Sequence, residues 1–215
     1  MSNYLLFLIL WFISGFCVGY SLEHPQPSVE EKMGPELSIP YVEACSLSCT
    51  SSEGMVGPVS EIVFEVMSYP DEEIAGVIAN EIIYQMNKYE ITQDSLPFIL
   101  ALFYTESHFN PNAANYTSSA RGIGQIMMSL HSDKFKNYED WKNPACNIAV
   151  AFQLINGGYG NYKSIEDLSE KWYLIFKRYC GRSSYARAAM DNVEMFQKEI
   201  NSYYLLKFTE YQYKK

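Results

Sequence analysis

Histidine, positive charge and closely spaced cysteine pairs are all scarce in this 215-residue chain. Its three histidines are scattered and it has no Cys-x-x-Cys pair, so the usual ligand spacing of a structural zinc site is missing. Its 16 basic residues are outnumbered by 25 acidic ones, which gives a formal charge of −9. Because nucleic-acid binding requires a basic surface that displaces counterions, the composition argues against this class of partner.

The charge is distributed unevenly along the chain. Residues 22–95 hold 14 acidic and 2 basic side chains, whereas residues 171–215 hold 4 acidic and 9 basic ones. The basic stretch has two interpretations, a surface for an anionic polymer or a solvated helix face.

The N-terminal segment indicates export. Residues 4–20 are apolar and uncharged, and Gly19 or Ser21 offers a small residue for cleavage, so residues 1–21 are predicted to be a signal peptide. No Lys or Arg precedes the run, which leaves an uncleaved membrane anchor as the alternative. In both cases we expect an exported protein.

A change of composition divides the remaining chain. Residues 22–58 are rich in Pro, Ser, Glu and Gly, so residues 22–69 are predicted to be an acidic, irregular linker. One all-α domain is expected over residues 70–208, because apolar side chains there recur at helical spacing and no convincing run of strands appears. Its first predicted helix begins at the acidic residues that follow Pro70 and continues through Met86. The other predicted helices cover approximately residues 95–107, 122–130, 145–157, 165–179 and 184–206.

Four cysteines follow the N-terminal segment, an even number in a chain predicted to leave the cytoplasm. Their order suggests two disulfides, a local one between Cys45 and Cys49 and a second between Cys146 and Cys180. Buried thiols are the alternative. A Cys146–Cys180 bridge would stabilise the domain by roughly 3–4 kcal/mol through loop closure.

Glu106 is the first candidate for chemistry. Ile99, Leu102 and Phe103 lie seven, four and three residues before it, so a helix would place all of them on one face. A carboxyl group among apolar neighbours loses solvation of its charged form, which raises its pKa toward about 6–7. General acids that cleave glycosidic bonds work in that range.

A second block follows a loop that begins directly after Glu106. Gly122 and Gly124 flank Ile123, and two positions without side chains would let a sugar ring approach the backbone closely. Gln125 comes next and is within hydrogen-bonding reach of such a ligand. These residues favour a cleft beside the acid over simple flexibility at a helix start.

Five motifs in order resemble the catalytic domain of the soluble lytic transglycosylases, relatives of goose-type lysozyme. They are Glu106-Ser107, Phe109-Asn110-Pro111, Ala120-Arg121-Gly122-Ile123-Gly124-Gln125-Ile126-Met127, Asn147-Ile148 and Tyr179-Cys180-Gly181. The resemblance spans roughly residues 75–200. The sequence departs from the family pattern at Cys180, Ser119 and Met128 and by about one extra residue before Ala120. These departures affect the substrate-binding rim rather than the acid.

The resemblance implies a lysozyme-like fold, peptidoglycan as substrate and no metal or cofactor. Glu106 would be the catalytic residue, Ser107 would help to orient it, and the Tyr179 hydroxyl would lie near it and could donate a hydrogen bond to it. The substrate-binding residues would be Ser107, Gly122, Ile123, Gly124, Gln125, Met127, Asn147 and Tyr179. A secretion, conjugation or phage machine is a further candidate partner, which the sequence does not name.

The resemblance further implies a reaction with one carboxyl group. Glu106 would protonate the oxygen between N-acetylmuramic acid and N-acetylglucosamine, and would then take the proton of the muramic C6 hydroxyl. No Asp or Glu occurs between Ser107 and Ser132, where a second carboxylate would be easiest to place. A lysozyme-type hydrolase using Asp133, Glu139 or Asp140 remains an alternative, as does a silent glycan-binding or assembly protein.

Overall fold

The computed structural model describes the backbone of residues 53–213 and the side chains of residues 54–204. Helices dominate this part of the chain. They are α1 Glu53–Val66, α2 Glu72–Lys88, α3 Leu96–Ser107, α4 Met128–His131, α5 Pro144–Asn161, α6 Leu168–Cys180 and α7 Ser183–Tyr213, with the strands β1 Ala120–Arg121 and β2 Ile126–Met127. The predicted signal segment, residues 22–52 of the predicted linker and the Cys45–Cys49 pair lie outside the described residues.

Helix α1 corrects the predicted linker at its C-terminal end. Residues 53–66 are helical despite Gly54, Gly57 and Pro58. Val59, Ile62 and Val63 recur at helical spacing and are buried, and the helix packs against α2. Burial of this apolar face outweighs the low helix propensity of glycine and proline. A prediction from composition alone gives too much weight to that low propensity.

Helix α2 forms as predicted. Asp71 precedes it, and its Oδ1 accepts a hydrogen bond from the backbone N–H of Ile74 at 3.0 Å, while Glu72 and Glu73 occupy the first turn. Both features stabilise a helix N-terminus. Its buried face packs against α1 and α5.

Helix α3 is the central helix. Residues 96–103 are all buried, and Pro97 lies in the first turn, where no hydrogen bond from its nitrogen is needed. The helix ends at Ser107, and the following residues His108 and Phe109 have φ angles of +52° and +58°, with Pro111 shortly after. Backbone in the left-handed region cannot continue the helix, so Glu106 lies in its last turn.

Three further helices surround α3. Helix α5 packs on α6, α6 packs on α7, and α7 packs along α3. Phe103, Phe152, Trp172, Phe176 and Phe196 fill the core between them. Helix α7 extends beyond the predicted end at residue 206, but no helix within residues 53–213 is long and apolar enough to cross a membrane.

Residues 112–142, which we call the hairpin lobe, differ from the prediction of a helix over 122–130. Strands β1 and β2 pair antiparallel, with Ala120 opposite Met127 and Arg121 opposite Ile126. Gly122 and Gln125 in the turn have φ angles of +75° and +47°, which a right-handed helix does not allow. Only the four-residue helix α4 remains of the predicted one.

The predicted Cys146–Cys180 disulfide is wrong. Cys180 ends α6 with its side chain exposed and keeps its thiol, so it is not the partner of Cys146. Cys146 is half-buried in the first turn of α5 and is disulfide-bonded.

Candidate active site

Glu106 lies at the end of the apolar stripe that the sequence predicts. Ile99, Leu102 and Phe103 are completely buried, and the Glu106 side chain is half-buried one turn further on. Loss of solvation raises the pKa of this carboxyl from 4.5 to about 7. At neutral pH a substantial fraction of Glu106 therefore carries a proton that it can donate.

Tyr185, in the first turn of α7, holds the Glu106 carboxyl in place. Its hydroxyl donates a hydrogen bond of 2.6 Å to Glu106 Oε1, and this bond lowers the pKa of Glu106, opposing the larger effect of burial. Burial and the nearby Glu106 charge raise the pKa of Tyr185 well above 10, so the phenol stays protonated. Tyr185 is absent from the site residues predicted from the sequence, where its signal was a tyrosine near the start of the last predicted helix.

Tyr179 does not make the hydrogen bond to Glu106 that the resemblance suggests. Its hydroxyl donates instead to the carbonyl oxygen of Gly124 at 2.7 Å. Burial raises the pKa of Tyr179 well above its ordinary value of 10, and the charge of Glu106 adds to this effect. Tyr179 thus fixes the hairpin beside the acid, while Tyr185 contacts the acid itself.

The two glycines of the hairpin turn are required by packing. A Cβ at Gly122 would collide with the Asn147 side chain and lie 2.7 Å from the carbonyl oxygen of Trp141. A Cβ at Gly124 would lie 3.0 Å from both the Ala151 Cβ and the Tyr179 hydroxyl. The turn can therefore approach α5 and α6 only where side chains are absent.

Asn147 is buried in α5, and its side chain holds the hairpin turn through hydrogen bonds. Its Oδ1 accepts from the backbone N–H of Gly124 at 2.7 Å, and its Nδ2 donates to the carbonyl oxygens of Arg121 and Trp141, both at 3.1 Å. These three bonds engage both the oxygen and the nitrogen of the Asn147 side-chain amide within the protein. The structure thus places this predicted substrate-binding residue under the turn rather than at a surface.

Ser107 and Gln125 connect the helix end to the turn. The Ser107 hydroxyl donates to the carbonyl oxygen of Ile123 at 2.8 Å, so it positions the turn next to Glu106. Gln125 Nε2 donates to the carbonyl oxygens of Gly122 and Ala113 at 3.0 and 3.3 Å. Of the predicted substrate-binding residues, Ile123 is completely buried, whereas the Met127 side chain is 37% exposed and available to a ligand.

The acidic residues that a two-carboxylate mechanism could use have local structural contacts or face solvent. Glu139 forms an ion pair with Lys142, and Asp140 accepts a hydrogen bond of 2.8 Å from the backbone N–H of Asn137 in a capping box. Asp133 is exposed. Within residues 53–213, the groups that shift the pKa of Glu106 include no second carboxylate.

No cluster of three His, Cys, Asp or Glu side chains suited to a metal ion occurs in the described part of the chain. The site therefore consists of one acid with a raised pKa, a tyrosine that holds it and a glycine hairpin beside it. This arrangement lies on a helical core consistent with the all-α, lysozyme-like fold.

A comparison with protein families supports this class. The family model for the transglycosylase SLT domain matches residues 81–199, more than half of the chain. The chain belongs to this family, and its lytic transglycosylase-type function is directed at peptidoglycan. Searches of curated proteins and of solved structures find no match to the chain.

Proposed function

We propose that this protein cleaves the β-1,4 bond between N-acetylmuramic acid and N-acetylglucosamine, with Glu106 as the only acid and base. The observation that carries the proposal is the Glu106 carboxyl, whose pKa of about 7 and hydrogen bond from Tyr185 suit a group that both gives and takes a proton. A pKa near the working pH makes both states accessible during one catalytic cycle.

The reaction proceeds in two proton transfers. Protonated Glu106 first donates its proton to the glycosidic oxygen, and the bond from this oxygen to C1 of the muramic residue breaks. The muramic C6 oxygen then forms a bond to C1, and its proton passes to the Glu106 carboxylate. Glu106 regains its starting state, no water is consumed, and the product carries a 1,6-anhydromuramic end.

Burial of the acid favours this sequence of steps. The proton transfers need a carboxyl that stays neutral until the substrate binds, and loss of solvation at the end of α3 provides that. Tyr185 stays protonated and continues to donate its hydrogen bond when Glu106 becomes charged. The substrate N-acetyl group can stabilise the positive centre at C1, so the reaction does not require a second carboxylate.

A lysozyme-type hydrolase on the same fold is the nearest alternative, and digestion in water enriched in heavy oxygen distinguishes the two. The proposed reaction gives unlabelled products that are lighter by one water than lysozyme products. Labelled products with reducing ends would reject it and direct attention to Asp133, Glu139 and Asp140. The third alternative, a silent glycan-binding or assembly protein, predicts no clearing of a suspension of cell walls by the purified protein.

The proposed substrate also requires export. Peptidoglycan lies outside the cytoplasm, so we propose that residues 1–21 direct the chain to the periplasm or cell envelope, as a cleaved signal or a membrane anchor. Fractionation of expressing cells, followed by N-terminal sequencing, tests export and cleavage together. Recovery of the protein only in the cytoplasm would contradict this part of the proposal.

A further inference from the structure

Exposed apolar side chains are concentrated on the hairpin lobe. Among the described residues, the large hydrophobic side chains that are exposed are Tyr69, Tyr84, Tyr116, Met127, Leu130, Tyr138 and Tyr204. Four of these seven lie between positions 116 and 138. Scattered exposed apolar residues need no explanation. These four belong to the lobe that carries the hairpin turn of the proposed site, so each is a candidate for contact with a ligand.

Tyr116 is the most exposed of these residues. Its side chain is 99% exposed, so it contributes almost nothing to the core. Asn115 Oδ1 accepts hydrogen bonds from the Thr117 backbone N–H at 2.9 Å and the Thr117 hydroxyl at 2.8 Å. The tip of the loop is thereby held in a defined turn on which the tyrosine ring projects.

Arg121 holds the same loop through hydrogen bonds from its guanidinium. Its Nη1 donates to the carbonyl oxygens of Asn115, Ser118 and Ala120 at 2.9, 3.1 and 2.7 Å. An arginine directed at three backbone carbonyls orders a loop that has little apolar burial of its own. Tyr116 is therefore presented by a preorganised backbone, which lowers the entropic cost of binding a ligand.

The loop continues the backbone of the proposed active site. Ala114 forms a bridge with Arg121 of β1, and the Gly122 backbone N–H donates to the carbonyl oxygen of Ala113 at 2.8 Å. The same turn carries Gly124, whose carbonyl accepts from Tyr179 near Glu106. Tyr116 thus lies two residues beyond the strand-like pairing that borders the turn, on the rim of the lobe.

The chemistry of this rim suits an uncharged ring. Residues 108–131 contain no Asp or Glu, and the Arg121 Nη1 is directed at backbone carbonyls. The apolar face of a pyranose packs well on an aromatic ring, and a glycan strand extends beyond the bond that is cleaved. We propose that Tyr116 is a sugar-stacking position that binds the glycan strand away from Glu106, an inference that rests on the proposed function.

Replacement of Tyr116 tests this with long and short substrates. Tyr116→Ala should raise KM for long glycan strands about 3- to 10-fold, the range of one aromatic contact, with kcat unchanged. Cleavage of a short fragment that spans only the cleaved bond should stay at the wild-type level. Tyr116→Phe, which keeps the ring, should retain most of the affinity, and Tyr84→Ala on the exposed side of α2 is the matched control.

Binding of intact peptidoglycan provides a readout that does not depend on turnover. In a Glu106→Gln background, Tyr116→Ala should co-sediment with peptidoglycan more weakly than the same protein with Tyr116 intact. Unchanged KM and unchanged sedimentation, equal losses on long and short substrates, or an equal effect of Tyr84→Ala would each overturn the inference. A wild-type protein that makes no anhydro ends would reject the proposed function alone, and sedimentation would still decide the role of Tyr116.

Discussion

The helical core and the hairpin lobe meet at Glu106 and are stabilised in different ways. Helix α3 buries every residue from position 96 to 103, so apolar packing holds the acid in place. The lobe depends on directed hydrogen bonds from Asn147, Ser107 and Arg121 and on positive φ angles at Gly122 and Gln125. Apolar packing thus sets the position and the pKa of the Glu106 carboxyl. Polar contacts set the shape of the surface that would face the glycan.

The largest expected effect belongs to the acid itself. Glu106→Gln should lower the cleavage rate by at least ~10²–10⁴-fold, because an amide has no acidic proton to donate. The melting temperature should not fall, since the amide has nearly the same shape. Release of anhydromuropeptides measures the rate, and a variant that keeps more than about a tenth of wild-type activity would show that Glu106 is not the acid.

The hairpin lobe should be most sensitive at Asn147. Asn147→Ala leaves the Gly124 N–H and two backbone carbonyls without their partner, which should lower the free energy of unfolding by about 3 kcal/mol. Urea denaturation measures this, and Asn87→Ala on the exposed side of α2 should change it by less than about 0.5 kcal/mol. Equal effects of the two changes would show that the Asn147 hydrogen bonds do not stabilise the lobe.

Burial of Glu106 should make stability depend on pH. Its pKa of about 7 in the folded protein lies above its ordinary value of 4.5, so the folded state holds a proton that the unfolded chain releases in this window. Stability is then present below about pH 4.5 and is lost as the pH rises through about 7.

Glu106→Gln removes this dependence. At pH 8 the variant should be more stable than the wild type by on the order of 1–3 kcal/mol, and this advantage should shrink toward pH 5. Urea denaturation at both pH values measures the difference, with Glu199→Gln on the exposed side of α7 as the control. A constant difference between wild type and variant would show that the folded carboxyl has an ordinary pKa.

The smallest effect separates the two tyrosines. Tyr185→Phe removes the hydrogen bond that lowers the pKa of Glu106, so this pKa should rise and the loss of activity at alkaline pH should move to higher pH. The rate should fall on the order of 10-fold, because the carboxyl loses its orientation. Tyr179→Phe should reduce activity without moving the pH profile, and a shift with Tyr179→Phe alone would reverse the two assignments.

The sequence alone determined the helical core and the position of the acid. Helical spacing of apolar residues predicts α2, α3, α5, α6 and α7, and the same spacing places Glu106 at the end of a buried face. These features follow from local periodicity and from end signals such as Asp71 and Pro111. Helix α1 escaped the prediction because its apolar face becomes stable only when α2 covers it.

The tertiary structure decided which groups meet around Glu106. Only the packing of α7 along α3 brings Tyr185 to the Glu106 carboxyl, from which it is 79 positions apart in the sequence. Tyr179, at the end of α6, donates its hydroxyl to Gly124 instead. The hairpin turn likewise depends on Asn147 from α5, more than 20 residues away. Local propensity does not predict such long-range hydrogen bonds, because the donor and the acceptor meet only after the helices have packed.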